Sequence, residues 1–480
     1  MRTVIVGAGP SGICAGVRLL QAGLDDFVIV EKAPGVGGTW RHNTYPGAAC
    51  DIQSALYSFS FAPKTDWTRP YGTQPEILAY MEDVAERFGL LPYCRFETTV
   101  VSASWDESRC AWTTTTDTGE SFDSDLLVSA VGMFNELSYP DLPGLSDFEG
   151  TCFHSAEWNW DHDLAGDRVA VIGSAASAVQ FVPEIVRSAA QVHLFQRTAN
   201  WVLPKPDNPY TDAEIEAFRS DPSILAALRQ EVYDRVEGTL TFADPRAVAA
   251  SQAVARAAID VVEDPVTRAK LIPDHPWGCK RPLLSNDFYP AFNRPNLELV
   301  TDPIDHIDRG AVVTADGRSR PVDTLILATG FRATRYASTI EITGRQGMRI
   351  EDAWRDGACA YLGVTTAGFP NLFMMYGPNT NNGSILTMIE AQVDHFMNHV
   401  SRLVAAGAAW VDVRPEAMEA YNQEIQQAIA GVTVWNAGCN GYYRTPAGRV
   451  VTQWPYTMAE YLQRARDVDW GCFEHAAPAG

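Results

Sequence analysis

Short unbroken apolar runs alternate along this chain with stretches whose apolar positions recur every three to four residues, a pattern that predicts buried parallel strands separated by helices. Val4-Ile5-Val6 is the first run, and it opens directly into Gly7-Ala8-Gly9-Pro10-Ser11-Gly12. A helical pattern then reaches about Gln21, Gly23 can stop it, and a second run, Phe27-Val28-Ile29-Val30, ends at Glu31. The order recurs further on. Val169-Ala170-Val171-Ile172 leads into Gly173-Ser174-Ala175-Ala176-Ser177-Ala178, and Val192-His193-Leu194-Phe195 follows. Each repeat closes on a buried-type strand running into glycine, Leu126 to Gly132 in the first and Leu325 to Gly330 in the second. Asp323, just before the latter, reads equally as a turn residue or a ligand.

Strand, glycine turn, helix and strand, met twice, predict two Rossmann-like dinucleotide-binding domains. The glycines allow the tight turn and let a pyrophosphate approach backbone N–H groups at a helix N-terminus. Ala175 stands at the second glycine of the second motif, which crowds that approach without blocking it. The offsets carry more information. Glu31 lies 24 residues after Gly7, and Arg197 lies 24 residues after Gly173. A ribose 2′-hydroxyl is met by a carboxylate, whereas a 2′-phosphate is met by a guanidinium. The first unit, through Gly7, Gly9, Gly12 and Glu31, is expected to hold FAD. The second, through Gly173, Ser174, Ala175, Ser177, Arg197 and Thr198, is expected to hold NADPH rather than NADH. Arg197 also fits an ordinary surface residue at the end of a strand. Ala328, Thr329 and Gly330 would bring backbone close to a bound cofactor.

From about 209 to 270 the texture becomes helical, as in Ala213-Glu214-Ile215-Glu216-Ala217-Phe218. Short strands return after 280, Leu297 to Val300 among them, and the tail carries a helix over Ile389 to Leu403. The expected fold class is therefore α/β, two Rossmann-like domains with the second inserted in the first and a helical insertion. Residues 1–145 and 331–480 form the FAD domain, 146–208 and 278–330 the NADPH domain, and 209–277 the helical insertion.

Length and charge narrow the partners. At 480 residues the chain exceeds what one core usually organises. Its 37 Lys and Arg against 59 Asp and Glu give a net charge of −22, which argues against nucleic acid and against anionic lipid. No apolar run approaches the ~18–20 residues that span a bilayer. The start, MRTVIVGAGP, enters a strand at once, and the end, EHAAPAG, is too polar for an anchor. Nine scattered cysteines include no CxxC pair, so a zinc ribbon or a close-spaced redox dithiol is not indicated. These readings place the chain in the reducing cytoplasm, with no obligate protein partner evident.

Two longer motifs are more specific. Gly37-Gly38-Thr39-Trp40, four residues, Tyr45-Pro46-Gly47, three residues and Asp51 resembles a fingerprint of type I Baeyer–Villiger monooxygenases. A second fingerprint of that family is matched by Phe148, Gly150, His154 and Trp158, with Asn159 where the family has Pro or Asp. Flavin-containing monooxygenases carry Tyr or Phe at the position of Trp158. The resemblance extends through Phe195 to Thr198, Cys279-Lys280-Arg281, Ala328 to Phe331 and Gly368 to Asn371.

This resemblance implies conversion of a ketone to an ester or lactone with O2 and NADPH, through a C4a-peroxyflavin on FAD. Sulfide or amine oxidation is the alternative. It implies that Arg281 lies over the flavin, that Asp51 orients it, and that Lys280 joins Arg197 and Thr198 on the 2′-phosphate. From the residues alone, Lys280 and Arg281 also fit an exposed pair, and Asp51 a turn acid. Gly38, Thr39 and Trp40 would meet the flavin nucleotide. Residues Pro378 to Leu386, Asn379 included, would face its ring. Trp435 would touch the nicotinamide nucleotide. His154, in the linker between the nucleotide domains, is given a conformational role, although a lone histidine is commonly a structural hydrogen-bonder. Trp158, Trp160 and Trp201 read as core or interdomain packing. A flavin-dependent disulfide reductase would need a close cysteine pair, and a flavoprotein that only binds partners would consume no NADPH.

Overall fold

Apolar β-branched runs with no polar face can satisfy their backbone and hide both sides only inside a covered parallel sheet. Two such sheets form. In the computed structural model, which describes residues 1–239, 242, 244–337, 339–439 and 441–476, the first sheet runs Leu372–Met374, Leu126–Ser129, Thr3–Val6, Phe27–Val30 and Cys94–Arg95. All its pairings are parallel. Residues 477–480, the end of the stretch read as too polar for an anchor, lie outside the described residues.

The second sheet runs Thr151–His154, Thr324–Leu327, Arg168–Ile172, Gln191–Phe195 and Leu297–Val300, again all parallel. The two share one plan. In each, the strand before the glycine turn lies centrally, between the next strand and the closing strand. They differ in the edge strand beyond the closing one. It comes from far downstream, at Leu372–Met374, in the first sheet, and from just upstream, at Thr151–His154, in the second. The first sheet is thus discontinuous in the chain and encloses the second in sequence.

The duplication reaches individual atoms. Gly7 N–H donates to the Val30 carbonyl at 2.8 Å, and Gly173 N–H to the Phe195 carbonyl at 3.1 Å. Asp125 accepts from the backbone N–H of Arg2, just before the central strand of the first sheet, and Asp323 from that of Arg168, which opens the central strand of the second. Asp323 also takes the Arg168 guanidinium at 2.6 and 3.0 Å, which holds its carboxyl down to about 2. It is a strand-end brace.

Helices Asp212–Ser220, Pro222–Thr239, Pro245–Ala258 and Pro265–Lys270 fill the region read as a helical insertion. Arg229 pins this insertion to the first unit by donating to the carbonyls of Ala55 and Ser58 at 3.0 and 2.8 Å. Among the described residues no helix is long and apolar enough to cross a membrane.

Candidate active site

The first glycine turn is built by close approach. A Cβ at Gly12 would stand 1.9 Å from the Gly7 carbonyl oxygen, and Gly7 itself has φ +106°. Gly9 and Gly38 face each other so closely that a Cβ on Gly38 would lie 2.8 Å from the Gly9 Cα. The helix Pro10–Gln21 begins at Gly9 with no side-chain cap, which leaves its first N–H groups for an anion. Glu31 is buried at the end of its strand, its two oxygens accepting from Ala8 N–H at 2.7 Å and Ala33 N–H at 2.8 Å. Each oxygen keeps a lone pair for a ribose hydroxyl. This cradle fits the adenosine and pyrophosphate of FAD. Thr39 and Trp40 open a short helix beside it, and Trp40 is fixed by its indole N–H donating to the Tyr57 hydroxyl at 3.0 Å.

The second turn is more open. Ala175 is exposed at the uncapped N-terminus of the helix Ala176–Ile185. The Ser174 carbonyl accepts from the Asn200 amide at 3.1 Å. Arg197 is exposed, and Lys280 Nζ donates to Thr198 Oγ1 at 2.9 Å. Burial, and then the charge of Arg197, push the Lys280 pKa down. Three residues separated by up to 83 positions thus form one cationic corner, suited to a 2′-phosphate.

Arg281 meets Asp51 across 230 positions of sequence, donating from Nε at 3.1 Å and also from Nη2. The reading of this arginine as an exposed surface cation is set aside: it is part-buried, and the Asp51 carboxylate holds it further into its charged range. Tyr376, Tyr442 and Tyr443 carry hydroxyls within electrostatic reach of it. Burial pushes Tyr376 and Tyr443 well above the ordinary phenol range, so both stay neutral. Tyr376 donates to Asn381 Oδ1 at 2.6 Å, and the Tyr442 hydroxyl lies within hydrogen-bonding reach of Tyr443. No spacing rule marks these tyrosines in the sequence, and the reading along the chain missed them.

A family model described as pyridine nucleotide-disulphide oxidoreductase matches residues 4–243. A Baeyer–Villiger monooxygenase of Streptomyces coelicolor is 39% identical over 100% of this chain and 93% of its own length. Among solved structures, cyclohexanone monooxygenase from Rhodococcus bound to NADP+ superposes with a TM-score of 0.90 at 32% identity, covering 99% of both chains. A complex of OTEMO with FAD and NADP has a TM-score of 0.90 at 27% identity, with 99% of each chain covered. The chain belongs to the Baeyer–Villiger monooxygenases.

The remaining residues singled out in this Baeyer–Villiger chain fall in different places. Thr329 donates its hydroxyl to the Ser138 carbonyl at 2.5 Å and is followed by Gly330 at φ +76°. Ala328 is buried against Gly173, where its carbonyl oxygen limits that position to glycine. Asn379, at φ +56°, spends its side-chain amide on the carbonyls of Val450 and Gln453 at 3.1 and 3.0 Å and so shapes the loop. Trp435 is buried with its ring 6.1 Å from Phe242 and its indole N–H without a hydrogen-bond partner among the described residues. His154 is buried at the end of its strand, its Nδ1 accepting from Ala156 N–H at 3.1 Å. Burial pushes its pKa down, so it is neutral. Its ring lies 6.1 Å from Phe331 and 5.6 Å from Tyr139.

Trp158 packs on Phe153 and Phe181, and Trp201 is buried with its indole donating to the His275 carbonyl at 2.8 Å. Trp160 meets the interdomain alternative and not the core one, its ring 6.2 Å from Trp158. It is 63% exposed and donates to Thr44 Oγ1 at 3.0 Å, because its ring spans an open cleft. That cleft, of about 610 Å3, lies behind the fingerprint loop and is lined by neither Arg281 nor Asp51. The loop is tied across to the second unit by Gln180, which accepts from the Tyr45 hydroxyl and donates to the Ala49 carbonyl, both at 2.9 Å. Ser177 also bonds to Tyr45, so this residue of the second glycine turn is engaged with the first unit.

Proposed function

We propose that the chain converts a ketone to an ester or lactone with O2 and NADPH, acting in the cytoplasm. Residues 1–145 and 331–480 hold FAD, residues 146–208 and 278–330 hold NADPH, and 209–277 cover the junction. The observation that carries this reading is the Arg281–Asp51 pair, assembled from both units beside neutral tyrosines. Bound FAD supplies electron storage and oxygen activation. Glu31 and the Gly7–Gly12 turn hold its adenosine and pyrophosphate. Arg197, Thr198 and Lys280 hold the 2′-phosphate of the nicotinamide nucleotide and select it over the unphosphorylated one. Asp51 fixes the guanidinium in one orientation and moderates its charge. Arg281 presents a preorganised cation where negative charge grows on oxygen. His154, neutral and buried at the end of the second sheet's edge strand rather than in a linker, transmits the arrangement of one unit to the other.

The Arg281→Ala protein should still oxidise NADPH while ester yield falls at least about a hundredfold, with hydrogen peroxide released instead. Unchanged ester yield would remove Arg281 from the chemistry. Asn159, where the family fingerprint has Pro or Asp, favours testing a second reading, oxygenation of a sulfide or amine. Mass spectrometry of products from a ketone and a sulfide, offered together, separates the two: sulfoxide without ester would select the second.

A further inference from the structure

Cys279 and Cys439, 160 residues apart, are joined in a disulfide with their Cα atoms 6.0 Å apart. Both lie outside residues 4–243, the part that matches the nucleotide-disulphide oxidoreductase model, so the pair is not that family's dithiol. Its place is the informative part. Cys279 immediately precedes Lys280 and Arg281, and Cys439 lies three residues before Tyr442. Each cysteine follows a glycine with positive φ, Gly278 at +87° and Gly438 at +76°, where the backbone can pivot. The described residues of 273–282 and 437–449 contain neither helix nor strand.

The second of these segments is otherwise held to its own neighbourhood. Tyr443 accepts from Val451 N–H at 3.0 Å, Arg444 donates to Gly448 at 2.7 Å, and the Tyr442 ring packs 5.8 Å from Phe134. Lys280 and Arg281 bond elsewhere, to Thr198 and Asp51. Among the described residues no hydrogen bond or ion pair joins the two segments; besides the Arg281 charge facing the Tyr442 and Tyr443 hydroxyls, the bridge is what bonds them.

We propose that Cys279–Cys439 is a redox-addressable positioning element that clasps the Tyr442–Tyr443 segment onto the Lys280–Arg281 segment. Opening it loosens the grip on the nicotinamide nucleotide. What it positions rests on the function proposed above; the bridge itself does not. The reductant is a dithiol. Its thiolate attacks the less buried Cys439 sulfur, and Cys279 leaves as a thiolate one and two residues from a lysine and an arginine, charges that favour it. The reductant's second thiol then displaces Cys439. The protein S–S bond is broken, one S–S bond forms in the reductant, and two electrons and two protons pass to the protein. In a reducing compartment such a bridge is in exchange.

The test uses the full chain with FAD bound. Thiols titrated in denaturant with a chromogenic aromatic disulfide should number seven before reduction and nine after it. NADP+ affinity is then measured on the oxidised protein, on the same protein after dithiothreitol, and on Cys439→Ser. Reduction and substitution should each weaken NADP+ binding about tenfold, the scale of a mispositioned contact, and raise the KM for NADPH more than they lower kcat. Flavin absorbance should stay constant. Nine thiols without reductant, or equal NADP+ affinity in all three, would overturn the proposal. The reduced natural chain needs no variant to fold. Loss of ester formation in every form, with the affinity difference intact, would count against the proposed reaction and leave the clasp standing.

Discussion

The two nucleotide units share strand order and hydrogen-bond pattern and differ in how much of their ligand cradle is closed. In the first, the acid at the strand end is buried and already holds two backbone N–H groups, and the glycine turn is pressed against a second loop at Gly38. In the second, Ala175 and Arg197 are exposed, and the cations reach in from separate segments. The same scaffold thus makes a socket and a docking corner. A socket retains a prosthetic group through repeated turnover, whereas a docking corner lets a nucleotide arrive, react and leave.

The sharpest way to break this comparison is to exchange the tightness of the turns. Gly12 admits no Cβ, because one would lie 1.9 Å from the Gly7 carbonyl oxygen. The matching position of the second unit is Ala178, which is fully buried and accommodated. Gly12→Ala should force the turn apart at a cost of about 1–3 kcal/mol or more and yield protein without flavin. Ala178→Gly should cost only about 1 kcal/mol of helix stability and still bind NADP+. The ratio of flavin to protein absorbance, with melting temperatures, checks both. A yellow Gly12→Ala protein would show that the first turn is not the closed one.

What could be read along the chain follows the same division. The strands and turns were legible because buried parallel strands are contiguous apolar runs: the reading Leu297 to Val300 matches the strand residue for residue. The fold class follows from the repeat. Contacts across large separations have no local signature. Arg281 with Asp51 was reached through resemblance, and the residues alone left Arg281 in an exposed pair and Asp51 as a turn acid. The tyrosines about Arg281 and the Cys279–Cys439 bridge were not found, because a side chain brought in from 160 positions away obeys no periodicity. Trp160 divides for a related reason: a large apolar ring is usually buried, but here it joins the two units through its N–H while staying exposed.

A smaller effect sharpens the chemistry of the open corner. Arg197 lies exposed at the strand end, where the first unit has a buried carboxylate. Arg197→Ala should lower kcat/KM for NADPH about ten- to a hundredfold, the scale of one charge-assisted contact, and leave NADH nearly unchanged. Equal losses for both nucleotides would move Arg197 from selecting the 2′-phosphate to holding the strand end.

The gentlest probe is pH. Burial and the neighbouring Arg197 depress the Lys280 ammonium below an ordinary lysine, so the free enzyme gives up this proton sooner as pH rises. A bound 2′-phosphate favours the charged form and draws the proton back. NADP+ affinity should therefore be complete below the depressed pKa and decline as pH climbs through it, approaching about tenfold per pH unit at the alkaline end. Lys280→Arg keeps the charge across this range and should flatten the profile, at some loss of affinity because the guanidinium does not reproduce the 2.9 Å bond to Thr198. A flat profile in the natural chain would leave Arg197 as the charge that recognises the phosphate, and an unchanged slope in Lys280→Arg would place the titrating group elsewhere in the corner.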